Sequence, residues 1–442
     1  MRINSAILLG FVTLLISTHS IAVPVIQHWK TDNGANVYFV PTNGLPILDA
    51  QLVFDAGSTR DAGKNGVAAL TSALLDQGAA GQSAQQIAEK LESVGAQMGV
   101  STSRDFTSIS YRSLTDDEAL KTSWKVLNDM LNKPDFPAVD FAREKKRTLL
   151  GIKKRQESPA ILAQLALYRE IYNNHPYANA IQGVEETVSA LEVIDLKQFY
   201  QQYYVANNLT VVLVGGVTQE QAKKMVQELV GSLPAGKKAS LLPEVNADIE
   251  GKTIHQEYPS QQTHLMYSLP VLKQNDPDYF PLYVGNHILG GSGFSSRIVK
   301  EIREERGLAY SAYSYFRPMR EKGPFLIGLQ TRNEKVTEAS TAVKQTLKTF
   351  IQHGPTDEEL TAAKKNIMGG FALKLDSNKK LLANVVGIVT SGVPLDYLNS
   401  YTQKVAAVTQ EQIMQAFQQR VMMSNMVMVT VGQSVEQKTN AD

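Results

Sequence analysis

The sequence predicts an α+β protein made of two homologous domains, each a mostly antiparallel sheet covered by helices, the two facing each other across a central cleft. Three observations lead there. Segments of strand and helix period follow the same order in both halves, the halves close on matched endings, and an aperiodic stretch divides them.

In the first half, alternating apolar residues predict strands over Asn36 to Val40 and Ile47 to Phe54, joined through the turn-forming Pro41-Thr42-Asn43-Gly44. Helical spacing follows at Gly66 to Asp76 and Ser83 to Val94. Strands resume at Gln97 to Ser103 and Phe106 to Arg112, the second alternating Thr107, Ile109 and Tyr111 on one face. Helices are expected over Asp116 to Met130, over Val139 to Arg155 with a basic outer face, and over Ile194 to Tyr204, which leads into a strand at Leu209 to Val214. The second half repeats the order: strands at Thr253 to Glu257 and His264 to Leu269, helices at Phe280 to Leu289 and Ser295 to Glu305, strands at Tyr310 to Phe316 and Phe325 to Thr331, then helices.

The endings match in detail. Phe199-Tyr200-Gln201-Gln202 precedes the strand Asn208 to Gly215, and Phe417-Gln418-Gln419-Arg420 precedes Asn425 to Gly432. An Asn, an apolar run and a Gly are common at strand ends, but the shared Phe-x-Gln upstream at nearly the same distance points to duplication. The expected organisation is a signal peptide over 1–22, a first domain over 23–232, a linker over 233–250 rich in Gly, Pro, Lys and Ser, a second domain over 251–437, and a tail over 438–442.

With 43% hydrophobic residues the chain has ample material for two cores. Lys and Arg (44) nearly cancel Asp and Glu (43), so no field exists to draw nucleic acid or an anionic membrane surface. Residues 1–22 open with Arg2, run apolar from Ala6 to Ile16 and end on Ser20-Ile21-Ala22, the form of a secretory signal cleaved after Ala22. As a membrane anchor the run is too short, being interrupted by Ser17, Thr18, His19 and Ser20 well before the ~20 apolar residues a span needs. The expected compartment is the periplasm. Cysteine is absent, which excludes disulfides, thiolate metal sites and a cysteine nucleophile.

A metal site in such a chain would rest on histidine. Six follow the signal segment (His28, His175, His255, His264, His287 and His353), and no two are spaced to share one helix face. His175, in Asn174-His175-Pro176-Tyr177, reads as a turn-forming residue. There is no Gly-x-Ser-x-Gly, and Gly290-Gly291-Ser292-Gly293 lacks the Lys-Ser/Thr of a phosphate loop, so it reads as a connection.

Two segments carry a resemblance. Gly66-Val67-Ala68-Ala69-Leu70-Thr71-Ser72-Ala73 is similar to the helix on which the pitrilysin/insulinase family of inverted-zincin peptidases carries Gly-x-Ala-His-x-x-Glu-His. Ser295-Ser296-Arg297-Ile298, continuing through Arg303-Glu304-Glu305-Arg306-Gly307-Leu308-Ala309-Tyr310-Ser311, resembles that family's second-half motif. The likeness spans about residues 27 to 435 and includes Phe54 to Asp61, His175-Pro176-Tyr177 and Ile181-Gln182-Gly183.

The resemblance implies a duplicated peptidase fold of the two-domain processing-peptidase type. It also implies losses. Ala69 and Ala73 stand where two zinc-binding histidines would be, Ser72 where the water-activating glutamate would be, and Leu150, counted from Ala73, where the third ligand would be. Such side chains offer zinc no set of donors, so the chain is expected to bind no metal, the zinc belonging to a homologous partner subunit. Arg303 and Tyr310 correspond to the pair that reaches bound peptide, and would assist catalysis in trans. Gly99-Val100-Ser101 corresponds to the edge strand that pairs with extended substrate, with Gly99-Val100 replacing the family's frequent Asn-Ala. The expected function is that of a metal-free subunit of a heterodimeric zinc peptidase, with peptide substrates. The alternative is a non-enzymatic peptide-binding or scaffold protein.

Overall fold

The computed structural model describes residues 25–434, so the signal-peptide assignment and the 438–442 tail lie outside the described residues. The first half runs β1 (Gln27–Lys30), β2 (Asn36–Pro41), β3 (Ile47–Phe54), α1 (Val67–Leu74), the short pair β4 (Gly78–Ala79) and β5 (Gln82–Ser83), α2 (Ala84–Ser93), β6 (Gln97–Thr102) and β7 (Thr107–Leu114). It continues with α3 (Asp117–Asn132), α4 (Ala138–Arg155), α5 (Pro159–Tyr172), α6 (Glu185–Ala190), α7 (Val193–Tyr203), β8 (Leu209–Gly215) and α8 (Gln219–Val230). The second half follows as β9 (Thr253–Glu257), β10 (Gln262–Leu272), α9 (Tyr279–Asn286), α10 (Arg297–Val299), β11 (Ala309–Phe316) and β12 (Gly323–Arg332). Helices α11 (Val336–His353), α12 (Asp357–Gly369), α13 (Asn378–Ser391), α14 (Tyr397–Ala407) and α15 (Gln410–Arg420) then lead to β13 (Val427–Gly432).

Topology establishes the duplication. The first sheet is ordered β1-β2-β8-β3-β7-β6 and the second, read from its other end, β9-β13-β10-β12-β11. Leaving out β1, the two orders superpose strand for strand, including the one parallel pairing in each, β2 with β8 and β9 with β13. Strands β6 and β11 are therefore equivalent, and each is a free edge.

The inner strands of each sheet are buried on both faces, which the sequence reading did not anticipate. One face of β8 sends Val211 and Leu213 into the first half's own core, while Val212 and Val214 pack against Leu381, Leu382 and Val385 of α13, a second-half helix. The exchange is reciprocal: Leu167, Tyr168 and Ile171 of α5 pack on Met266 of β10 and on Val427, Val429 and Val431 of β13. Burial on two faces is why β8 and β13 read as unbroken apolar runs. Helix α5 begins at a Ser158 cap followed by Pro159, the favoured residue at the first helical position.

A polar seam locks the halves. Asp55 accepts two hydrogen bonds from Arg60 (2.8 and 2.9 Å) and pairs with Arg320 of the second half. Asp105 accepts from the Tyr177 hydroxyl (2.7 Å) and from the Arg320 backbone N–H (3.2 Å), and Glu321 N donates to Tyr177 (3.1 Å). Residues 234–252 carry no helix or strand, yet Leu242 and Val245 are buried against α5, and His175 Nε2 lies 3.0 Å from Pro243 O. The connection is thus packed into the body.

Helix α1, which carries the altered motif, is held from its start. Gly66 adopts φ 103°, and a Cβ there would lie 2.9 Å from Gln182 O. Asp61 accepts from Gly66 N (2.8 Å) and Ala68 N (3.0 Å). Burial pushes the Asp61 carboxyl up to about 7 against the pull of those two donors. A folded-state value above the unfolded one gives stability that is present at low pH and lost as pH rises, here between about 4 and about 7. Asp61→Asn is expected to flatten that part of the stability profile, as measured by urea unfolding at a series of pH values.

Candidate functional site

Ala69, Ser72 and Ala73 line a cavity of about 640 Å³ between α1, β6 and α4. Ser72 Oγ donates to Ala69 O (2.9 Å) and accepts from Thr102 Oγ1 (2.7 Å), so this hydroxyl is spent on tying the helix to the edge strand. Val100 and Ser101 reach the cavity, whereas Gly99 lies beside it on β6, its carbonyl accepting from Ser110 Oγ (3.2 Å). From α4 the wall is Glu144, Arg147, Thr148 and Gly151.

Leu150 is not brought to this site. It is 59% exposed and points away, because successive turns of α4 present Glu144, Thr148 and Gly151, and Leu150 falls on the outer face. The position facing the motif helix is Gly151, where an added Cβ would meet nothing within 4 Å. Sequence counting also passed over Glu144. Its buried carboxylate lies 3.2 Å from Arg147 Nε and 3.6 Å from Arg143 Nε.

The residues present do not fit a zinc ion. The motif positions offer two methyl groups, a hydroxyl already hydrogen-bonded and a glycine, and the two carboxylates that line the cavity are engaged, Glu144 with Arg147 and Asp76 with the Gln77 amide (2.6 Å), so the imidazole donors that tetrahedral zinc needs are replaced. Among the described residues no group of three or more His, Asp or Glu is arranged to hold a metal. The histidines are used elsewhere: His28 stacks on Tyr38 at 4.4 Å, and His175 Nδ1 accepts from Tyr177 N (3.1 Å).

The second half's counterpart is built differently. The expected single helix over Ser295 to Glu305 is instead the short α10 followed by a π-helical segment, Lys300–Glu305, ended by Gly307 at φ 59°. Arg303 projects from that segment and Tyr310 stands 84% exposed near the start of edge strand β11, where the register with β12 shifts between Ala309 and Ala312. The guanidinium of Arg303 lies 4.7 Å from the Tyr310 ring centroid and 4.6 Å from that of Phe294, itself 66% exposed. Two aromatic faces thus hold the cation while its N–H edge stays available to an oxygen acceptor. These three residues border a cavity of about 360 Å³. Phe294 was missed in the sequence, its one signal being a lone aromatic directly after the glycine run. Arg306, three residues on, is paired with Glu301 at 2.6 Å.

Comparison with known proteins gives the family. The family model described as insulinase (peptidase family M16) matches residues 45–185, and that described as the peptidase M16 inactive domain matches residues 190–367. A crystal structure of a peptidase M16 inactive domain from Pseudomonas fluorescens is 34% identical, superposes with a TM-score of 0.90, and is aligned over 93% of this chain and 99% of its own. The chain belongs to the M16 peptidase family. Among M16 relatives, Bacillus subtilis "Uncharacterized zinc protease YmxG" is 29% identical over 362 residues, 81% of this chain and 87% of that protein. Helicobacter pylori "Non-peptidase homolog YmxG" is 29% identical over 378 residues, 84% of this chain and 85% of that protein. With the M16 fold kept and the M16 zinc motif replaced at every position on α1, the chain is a non-catalytic M16 relative.

Proposed function

We propose that this chain is the metal-free subunit of a heterodimeric M16 zinc peptidase of the periplasm. Its homologous partner carries the intact motif, and this subunit supplies half of the chamber together with Arg303 and Tyr310. The observation that carries the reading is the contrast between the two sites: the cavity beside α1 has no histidine among its lining residues, while Arg303 lies over the rings of Phe294 and Tyr310 and forms no ion pair among the described residues. In that role the guanidinium and the phenol donate to a substrate carbonyl as charge develops on its oxygen, where prepositioned donors are most effective. The secretory character of residues 1–22 supports the compartment.

The test is reconstitution. Purified full chain is mixed with a secreted homologue bearing His-x-x-Glu-His, and cleavage of a quenched fluorescent peptide is followed for each alone and for the mixture. The mixture is expected to exceed the sum of the parts and to saturate at one chain per partner. Equal rates with and without this chain would refute the subunit role.

A second reading, capture of extended polypeptide without cleavage, draws on β6, a free strand edge beside a cavity cleared of ligands. Tight binding of an unstructured peptide by the isolated chain, together with no effect on any zinc-bearing homologue, would favour it.

A further inference from the structure

A cavity of about 800 Å³ belongs to neither site above. It lies in the second half, walled by α9, α13 and α14. Its volume is that of a pocket for a small organic ligand.

Helix α13 explains why the space is open. Leu381, Leu382, Val385 and Ile388 bury one face against the first half's sheet. The rest of the helix turns Ala383, Asn384, Gly387 and Ser391, all short side chains, toward the cavity, which Ile388 also lines. A Cβ built on Gly387 meets nothing within 4 Å, so the void extends to the helix backbone. Glycine is a poor residue for a helix interior, and at this position it keeps the cavity wide.

The far wall is aromatic and aliphatic, with Tyr279, Phe280, Tyr397 and Leu398. One cation stands at its rim: Lys404 Nζ, 5.2 Å from the Tyr397 ring centroid and 5.7 Å from that of Phe280. At the other edge Asp276 and its neighbour Asp278 share one guanidinium. Arg420 holds Asp276 at 3.3 Å and Asp278 at 2.6 Å. A chamber with an aromatic and aliphatic wall and, at its mouth, a lysine that forms no ion pair among the described residues complements an apolar molecule carrying one negative charge. The walls come from helices and loops and offer no free strand edge, so an extended peptide would find no backbone partner there.

From this geometry we infer that the cavity is a binding site for an acyl carboxylate, its chain lying among α9, α13 and α14 and its head group paired with Lys404. The site is independent of the subunit role proposed above. Because α13 also covers the first half's sheet, the occupant would brace the helix that joins the two halves.

The experiment is calorimetric titration of the full chain with dodecanoate kept below micelle formation, with dodecylammonium as the head-group control. One-site saturable binding of dodecanoate is expected, with no saturable binding of dodecylammonium. Lys404→Gln should weaken it by about tenfold, the scale of one charged contact. Gly387→Leu should abolish it by filling the chamber while the far-UV circular dichroism is unchanged. Ser391→Leu fills the same space from the next turn and replaces it if Gly387→Leu fails to fold. The inference is overturned if dodecanoate shows no saturable binding, if dodecylammonium binds equally well, or if both filling variants fold and bind as the wild type does. It is equally overturned if a peptide with an apolar C-terminal residue binds the site more tightly than dodecanoate.

Discussion

Replacing Asp55 with alanine is expected to destabilise the chain by about 3–5 kcal/mol, the range for breaking a buried ion pair by removing one partner. Asp55 sits where the halves meet and faces two guanidinium groups, Arg60 from its own half and Arg320 from the other. The Arg60 side chain is only 5% exposed, so without Asp55 its charge is left in the interior with no carboxylate to answer it. Arg320 is 26% exposed and stacks 4.7 Å from the Phe106 ring centroid, so it retains both water and a π face. Arg320→Ala should therefore cost less than Asp55→Ala. Urea unfolding of both variants measures the difference, and an Asp55→Ala loss below about 1 kcal/mol would mean that the seam is held by packing alone.

The second large effect concerns chemistry. In the reconstituted mixture, Arg303→Ala is expected to lower kcat by about 10²–10³-fold, the range for loss of one prepositioned donor to a developing oxyanion. Tyr310→Phe keeps the ring that Arg303 stacks on and removes only the phenolic donor, so its loss should be smaller than that of Tyr310→Ala, which also releases the guanidinium. Phe294→Ala leaves both donors in place and removes one of the two rings that hold Arg303. An effect of that variant on kcat at unchanged subunit affinity would mark Phe294 as a positioning residue. If all four variants reconstitute like the wild type, the pair is structural.

Much of the architecture was legible because each strand's face pattern is local. The repeated order of strands and helices follows from short stretches whose period is visible by itself, while the altered motif on α1 and the edge position of β6 were implied by the family resemblance. Helix α5 was not legible. Leu162, Ala163, Ala166, Leu167, Tyr168, Ile171 and Tyr172 are buried around much of its circumference, so it lacks a clear polar face, and the strands it covers, β10 and β13, lie far downstream in the other half. The irregular turn under Arg303 was hidden for a related reason. Its π-helical hydrogen bonding depends on tertiary packing, and residue propensity alone favours an ordinary helix there.

Leu150 shows a different failure. A fixed count from Ala73 crosses several loops, and one residue of difference in loop length rotates a helical position by about 100°. Helical phase on α4, set by Glu144 and Thr148 facing the cavity, selects Gly151 instead. Legibility of the site thus ended where loop length took over from periodicity.

Helices α1 and α4 no longer present the ligands of a zinc site. The measurement that tests this most directly is zinc content per chain by elemental analysis after incubation with zinc and gel filtration. It is made on the wild type and on a variant combining Ala69→His, Ala73→His and Gly151→Glu. The wild type is expected to retain no stoichiometric zinc and the variant about one ion per chain, three ligands from two fixed helices being the number at a catalytic zinc site. A wild-type chain that itself retains one zinc ion, removable by chelator, would contradict the account.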